Sequence, residues 1–286
     1  MALTLQSTVV KSFIPPRKSS SRKGENGKVL VLGGSYLYHG APILSSLAAL
    51  RAGTDLVYTC VPKINVTSTR AYSPNFIVIP LVDAKLTRGA ARKLVGIIPK
   101  ELDSATIGMG LAIQDREALK MLLKDLLDRA MMVSLDASAL VPEILPEIKD
   151  KKVTVTPHAG EFKRLFGEMP QDNIKQRAVL VQKHAKDNGI TILLKGPTDV
   201  ISDGTKTFLN PKNLASMTVG GTGDVLSGIV AAMLSKNRKP IEAASAAAFV
   251  NGKAGAMAQK KNGLHVLATD LIDFIPAAMK PFDRTR

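Results

Sequence analysis

The stretch Thr218-Val219-Gly220-Gly221-Thr222-Gly223-Asp224-Val225-Leu226-Ser227-Gly228 decides the reading of this chain. Three glycines fall within four residues, an acid follows at once, and an apolar helical run, Val225 to Leu234, comes next. That order describes a tight glycine turn feeding a helix N-terminus. Glycines let backbone N–H groups close on an anion with no Cβ in the way, and the helix end adds a positive partial charge. Asp224 then stands in the first helical turn, beside whatever anion binds. Two readings compete. In one, Asp224 or Thr222 caps the helix and the glycines only turn the chain. In the other, the amides of residues 220–223 form an anion hole for phosphoryl transfer and Asp224 is the general base. The loop is neither a Walker A motif nor a dinucleotide GxGxxG fingerprint, because Lys and Ser/Thr do not follow the last glycine and no strand runs straight into it.

Size and composition bound what surrounds the loop. A chain of 286 residues accommodates two domains or one large α/β domain with a single core. Hydrophobic residues make up 45% of it, which is ordinary for a globular protein; aromatics are scarce and Trp is absent, so aliphatic residues must fill the core. The single Cys60 excludes an intrachain disulfide and any cysteine-based zinc site. The net charge of +15 suits nucleic acid or small anions such as nucleotides. The bases are dispersed and not interleaved with aromatics, so nucleic acid is not expected as a partner. No apolar run reaches the ~18 residues of a membrane helix, so no membrane span is expected. Residues 1–27 carry Lys11, Arg17, Lys18, Arg22 and Lys23 against Glu25, and read as a basic N-terminal arm laid over the domain formed by 28–286.

Along the chain, strands expected at 28–32, 55–60, 76–80, 104–108, 131–135 and 153–156 are interleaved with helices at 41–53, 114–129 and 173–188. Short strands at 190–195, 199–202 and 206–209 follow, the last two as a hairpin across Asp203-Gly204. Helices at 225–234, 241–260 and 268–279 close the chain. This alternation predicts an α/β fold with a central, mostly parallel sheet flanked by helices on both faces. In such sheets ligands bind at the carboxyl ends of the strands. Gly33-Gly34, Gly108-Met109-Gly110, Asp136, His158 and Lys195 all fall just past expected strands, so they converge on one rim with the 220–224 loop.

An ordered set of short motifs adds a resemblance. It comprises Lys23-Gly24-x-x-Gly27-Lys28-Val29-Leu30, Gly33-Gly34-Ser35, Gly40-Ala41-Pro42, Leu50-Arg51-Ala52-Gly53, Gly108-x-Gly110-Leu111 and Asp136-Ala137. Thr156-Pro157-His158-x-Gly160-Glu161, Lys195-Gly196 and Gly220-Gly221-Thr222-Gly223-Asp224 complete it. With these the chain, from about Pro15 onward, resembles the ADP/ATP-dependent NAD(P)H-hydrate dehydratases of the ribokinase-like superfamily. His158 stands where the wider superfamily carries Asn, which favours the dehydratase branch. Arg22 stands where family members commonly carry His, and residues 213–217 lack the glycine often found there. The epimerase domain that often precedes this one is expected to be missing.

The resemblance implies that ADP or ATP phosphorylates the hydroxyl of hydrated NADH or NADPH, after which phosphate leaves. It implies Asp224 as base, with Gly221, Thr222 and Gly223 as the anion hole. Ala41, Gly108, Gly110, His158 and Asp224 match the family's hydrate-binding positions. Lys195, Gly196, Pro197, Thr198, Asp199 and Gly223 match its nucleotide site, and Glu161 is expected to orient Mg2+ through water. A homo-oligomer in the cytoplasm is expected. The alternative is a small-molecule kinase of the same superfamily, of the hydroxymethylpyrimidine or hydroxyethylthiazole type, which would release a stable phosphate ester.

Overall fold

Lys28-Val29-Leu30-Val31-Leu32 shows how the chain builds its centre. Side chains alternate across a strand, so Val29 and Val31 enter one core while Leu30 and Leu32 enter a second core on the opposite face. All four are fully buried, as expected of a central parallel strand covered on both sides. The computed structural model describes residues 2–236 and 239–286.

Among the described residues the strands are β1 (Leu3–Thr4), β2 (Lys28–Leu32), β3 (Leu56–Pro62), β4 (Ile77–Leu81) and β5 (Ser104–Ile107). They continue with β6 (Met132–Leu135), β7 (Val153–Val155), β8 (Thr191–Leu194), β9 (Thr198–Ser202) and β10 (Thr207–Pro211). One sheet contains them all, in the order β1-β10-β9-β8-β7-β6-β5-β2-β3-β4. From β4 across to β8 every neighbouring pair is parallel; β9 runs antiparallel to both β8 and β10. The expected α/β architecture with a central, mostly parallel sheet therefore holds, hairpin included.

The helices are α1 (Ser7–Phe13), α2 (Gly40–Arg51), α3 (Val66–Tyr72), α4 (Arg88–Ile97), α5 (Arg116–Asp128) and α6 (Leu145–Ile148). After them come α7 (Ala159–Phe166), α8 (Ile174–Asn188), α9 (Thr222–Lys236), α10 (Pro240–Asn262) and α11 (Ala268–Met279). Helices α1, α2, α9, α10 and α11 supply one core; α4, α5, α7 and α8 supply the other.

Helix α9 is the keel of the first core. Every residue from Val225 to Leu234 is buried, which requires neighbours all round. Gly228 lies so close to the Ser45 carbonyl of α2 that a Cβ would run into it. Below α9, Ser227 and Thr106 of β5 share a hydrogen bond of 2.6 Å, and the Ser104 hydroxyl donates to the Ala231 carbonyl at 2.8 Å.

Sequence reading did not place α1, α3, α4, α7 or β1. Helix α4 carries Gly89 and Gly96 and relies on Thr87, whose hydroxyl accepts from the Ala90 amide at 3.1 Å. Residues 3–14, inside the expected basic arm, add β1 parallel to β10 and send Leu5, Val10 and Ile14 into the first core. Val9, Val10, Phe13 and Ile14 fall at helical spacing, but α1 is only 7 residues long, too short a window for the period to stand out. No helix among the described residues is long and apolar enough to cross a membrane.

Candidate active site

The sheet order reverses between β2 and β5: chain order runs outward from β2 through β3 to β4, then resumes on its other side at β5. A crevice opens outside the carboxyl ends of strands at such a point. Here it is bordered by Gly33-Gly34 after β2 and Gly108-Met109-Gly110 after β5, joined by a hydrogen bond from the Gly34 amide to the Met109 carbonyl at 2.9 Å. The N-termini of α2, α7 and α9 follow chain turns at this same rim, so their positive partial charges face one region.

The glycine loop reaches the rim through a 3-10 turn at Ala215–Thr218. Gly221 has φ +94, a conformation that favours glycine, and a Cβ there would press on Leu44 of α2 and Ala268 of α11. The Thr222 hydroxyl donates back to the carbonyls of Met217 at 3.0 Å and Val219 at 3.2 Å, which locks the loop shut. Asp224, in the first turn of α9, has a carboxylate with no hydrogen bond or ion pair among the described residues. Burial pushes its pKa up to about 7, the charges of Asp136 and Glu161 add to the rise, and Lys195 opposes it.

Lys195, just past β8, is the cation of the cluster. Its Nζ lies 2.9 Å from Asp136 Oδ1 and 3.5 Å from Glu161 Oε2. It also sits 3.5 Å from where a Cβ on Gly223 would be, at the mouth of the anion loop. Burial works against its charge, yet the two carboxylates outweigh it and its pKa is raised.

His158 caps α7. Its Nδ1 accepts from the amides of Gly160 and Glu161 at 3.0 and 3.2 Å, while Glu161 Oε2 accepts from the His158 amide at 2.9 Å. With Nδ1 committed as acceptor, the neutral ring carries its proton on Nε2, which lies 3.4 Å from Glu161 Oε1. Although the ring is a cap, its side chain is 60% exposed.

The expected residues fall into three groups. Asp224, Gly221, Thr222, Gly223, Lys195, Glu161 and His158 come together as described. Ala41 and Gly110 border the crevice, the Ala41 Cβ lying 3.2 Å from a Cβ built on Gly110; Gly108, at φ +123, is packed under the Asp136 backbone. Gly196 and Pro197 lie in the turn between β8 and β9, and Thr198 opens β9. Asp199 alone points away: fully buried, it accepts from Lys212 Nζ at 2.7 Å, the Gly196 amide at 3.2 Å and Asn210 Nδ2 at 3.1 Å, so it anchors the turn from behind. The chain's own carboxylates offer no cage for a metal: no group of three or more His, Cys, Asp or Glu suited to one exists among the described residues. That fits a hard cation carried mainly by nucleotide phosphates, which needs few protein oxygens.

A cavity of about 930 Å³ lies elsewhere, at the amino ends of the strands. It is bordered by the C-terminal ends of α2 and α9, and the carbonyls just past α2 take up nearby cations: Lys236 Nζ donates to Ala52 O at 2.6 Å, and Arg17 to Gly53 O at 3.4 Å. Helix C-termini repel anions, so volume is a poor guide to the chemistry here.

The sequence profile of the NAD(P)H-hydrate dehydratase family matches residues 29–277. An ADP-dependent (S)-NAD(P)H-hydrate dehydratase of Nitrosopumilus maritimus is 66% identical over 281 residues, covering 98% of both chains. One of the same description from Cenarchaeum symbiosum is 65% identical, covering 96% of both. Among solved structures, an ADP/ATP-dependent NAD(P)H-hydrate dehydratase of Bacillus subtilis, co-crystallised with ATP and Mg2+, superposes with a TM-score of 0.85. It is 27% identical, and the match covers 99% of each chain.

Proposed function

The chain belongs to the NAD(P)H-hydrate dehydratase family, and from that premise we propose that the cluster of Asp224, Lys195 and Glu161 around the glycine loop carries the reaction. The enzyme restores NADH or NADPH from derivatives in which water has added across a double bond of the nicotinamide ring, and it consumes ADP or ATP in doing so.

Hydroxide leaves poorly near neutral pH, so the hydroxyl must first become a better leaving group. Asp224 takes the hydroxyl proton as the oxygen attacks the terminal phosphorus of the nucleotide. The P–O bond to the nucleotide breaks, and the amides of Gly221, Thr222 and Gly223 with the Lys195 ammonium hold the negative charge of the transferring group. The ring nitrogen lone pair then expels phosphate, and loss of a proton from the adjacent ring carbon restores the double bond. Mg2+, when bound with the nucleotide, neutralises phosphate charge; Glu161 is suited to hold one of its waters. Ala41, Gly108 and Gly110 border the hydrate site, and His158 contributes Nε2–H as a donor. The segment Gly196-Pro197-Thr198 meets the nucleotide, and Asp199 supports it from behind. A cytoplasmic homo-oligomer belongs to the same reading, and sedimentation tests the assembly.

One observation carries the assignment: an unpartnered carboxylate, titrating near neutrality, at a helix N-terminus beside a pinned lysine. Asp224→Asn tests it. Turnover of acid-hydrated NADH, followed at the nicotinamide absorbance band, should fall at least ~10²-fold. The fold should survive. Because the folded pKa of Asp224 lies above its ordinary 3.8, the folded state holds the extra proton between pH 3.8 and about 7, and stability from this group declines as pH rises through that window. At pH 8 the variant should therefore melt at or above the wild-type temperature. Wild-type turnover in the variant would end the assignment, as would a stable phosphate ester in place of free phosphate and NADH.

A further inference from the structure

Asp136 follows β6 and is 2% exposed. Its carboxylate does not open to solvent, yet it makes the shorter of the two contacts to Lys195 Nζ. The turn that aims it is unusual. Ala137 has φ +49, in the left-handed region that non-glycine residues rarely adopt. The surroundings hold it there. Arg164 of α7 donates to the Ala137 carbonyl at 2.6 Å and, through Nε, to the Leu140 carbonyl at 2.8 Å. The Ser138 hydroxyl donates to the Gly108 carbonyl at 2.7 Å, and Gly108 leaves no room for a Cβ beneath the Asp136 backbone. Backbone strain that is over-determined from two sides, next to a buried charge at the site rim, indicates placement rather than packing.

We infer that Asp136 is a positioning residue: it holds the Lys195 ammonium at the Gly223 end of the anion loop and withholds it from Asp224. The inference rests on Asp224 being the base. Lys195 has two tasks that conflict. It must sit near the transferring phosphoryl group, and it must not form an ion pair with the carboxylate that takes the proton. Glu161 cannot settle the conflict alone, since its Oε2 is shared with the His158 amide and is 3.5 Å from the ammonium. Asp136, at 2.9 Å and with no other side-chain partner among the described residues, does. It also leaves a second negative charge facing Asp224, which keeps that carboxyl from becoming too weak a base.

Asp136→Asn keeps the shape and removes the charge. Lys195 should then swing towards Asp224, and kcat should fall about 10- to 100-fold, the scale of a misplaced group. The KM for the hydrated dinucleotide should stay within about twofold, because no substrate contact is lost. The acid limb of the kcat/KM profile should move to lower pH. The charged groups acting on Asp224 are Asp136 just past β6, Lys195 just past β8 and Glu161 of α7, while Leu44 of α2 and Ala268 of α11 lie against Gly221 at the start of the same turn. Removing a like charge and admitting the lysine both lower the pKa of the base. In a Lys195→Met background the Asp136→Asn change should add almost nothing to the fall in kcat, since a clamp has no effect without its object, and only the smaller pH shift from the lost like charge should remain. An unmoved acid limb, or a full further loss in the Lys195→Met background, overturns the clamp. Should Asp136→Asn fail to fold, Arg164→Met loosens the same turn, and a smaller shift in the same direction is required of it. Loss of turnover in Asp224→Asn with a wild-type profile in Asp136→Asn overturns the clamp alone; wild-type turnover in Asp224→Asn overturns the base and the clamp together.

Discussion

The two rims of the sheet each hold a lysine drawn out of water, and they treat it in opposite ways. At the carboxyl rim Lys195 lies against Asp136 and Glu161, and its pKa is raised. At the amino rim Lys236 finds the Ala52 carbonyl and, among the described residues, no carboxylate in contact. Burial, with the Arg17 charge adding to it, pushes its pKa down to about 8. Helix direction explains the contrast. The helices that return over a parallel sheet start at the carboxyl rim and end at the amino rim, so amide N–H groups crowd one and carbonyls the other. Phosphate-bearing ligands belong with the amides. Carboxylates at that rim do not compete for the anion; they hold the lysine still. At the amino rim Lys236 and Arg284 answer carbonyls and Arg17 pairs with Asp55 at 2.6 Å, and the cavity of about 930 Å³ there is lined by Glu25, Asp103 and Asp283 as well as by Arg17, Arg51, Lys236 and Arg284.

Lys195→Met breaks this comparison most severely. It leaves Asp136 and Glu161 without their cation, and removing one partner of a buried pair costs up to about 3 kcal/mol. Turnover should drop at least ~10²-fold. Since Lys195 lowers the pKa of Asp224, the acid limb should move to higher pH, opposite to the shift expected for Asp136→Asn. Urea denaturation and a pH–rate profile measure the two effects, and an acid limb moving downward would contradict the electrostatic picture.

Gly228→Ala comes next. Helix α9 carries Asp224 at one end and Lys236 at the other, and Gly228 seats its middle against the Ser45 carbonyl. An added methyl there must displace backbone, for about 1–3 kcal/mol of stability. Both ends of the helix should feel it, so the urea midpoint should fall and kcat with it. Unchanged values for both would mean that α2 and α9 are not pressed together as described.

Lys236→Met sharpens the comparison with the smallest effect. The folded pKa of Lys236, about 8, lies below the ordinary 10.5, so between those values the unfolded chain holds more protons. Wild-type stability from this group therefore rises as pH increases from about 8 towards 10.5, and its penalty is fully present below 8. The variant should lack that rise and keep wild-type turnover. Melting temperatures across the alkaline range decide it; an identical pH dependence in the two proteins would remove Lys236 from the account.

Much of this was legible before any coordinates. Continuous apolar runs such as Val29–Leu32 announce strands buried on both faces, because nothing polar is tolerated in either core. The glycines before Asp224 announce the anion loop, because Gly221 takes a backbone conformation other residues avoid. Helices α4 and α7 were not legible: Gly89 and Gly96 weaken one, and the other is a single capped segment of 8 residues whose cap is a histidine.

The sequence by itself determined the alternation of the main strands and helices and gathered the glycine turns and Asp224 on one rim, since each follows from local patterning: residue period, glycine placement and a charge in a first helical turn. Only the tertiary structure decided which charges meet. Asp136 and Lys195 are 59 residues apart in the chain and 2.9 Å apart in space. Asp199 matches the nucleotide motif in the chain yet turns into the interior to hold Lys212 and Asn210. Coulomb energy and desolvation depend on distances and burial that exist only once the sheet has closed its layers. The same lysine side chain could therefore be read as charged and clamped at position 195, or as strained towards neutrality at position 236, only from the fold.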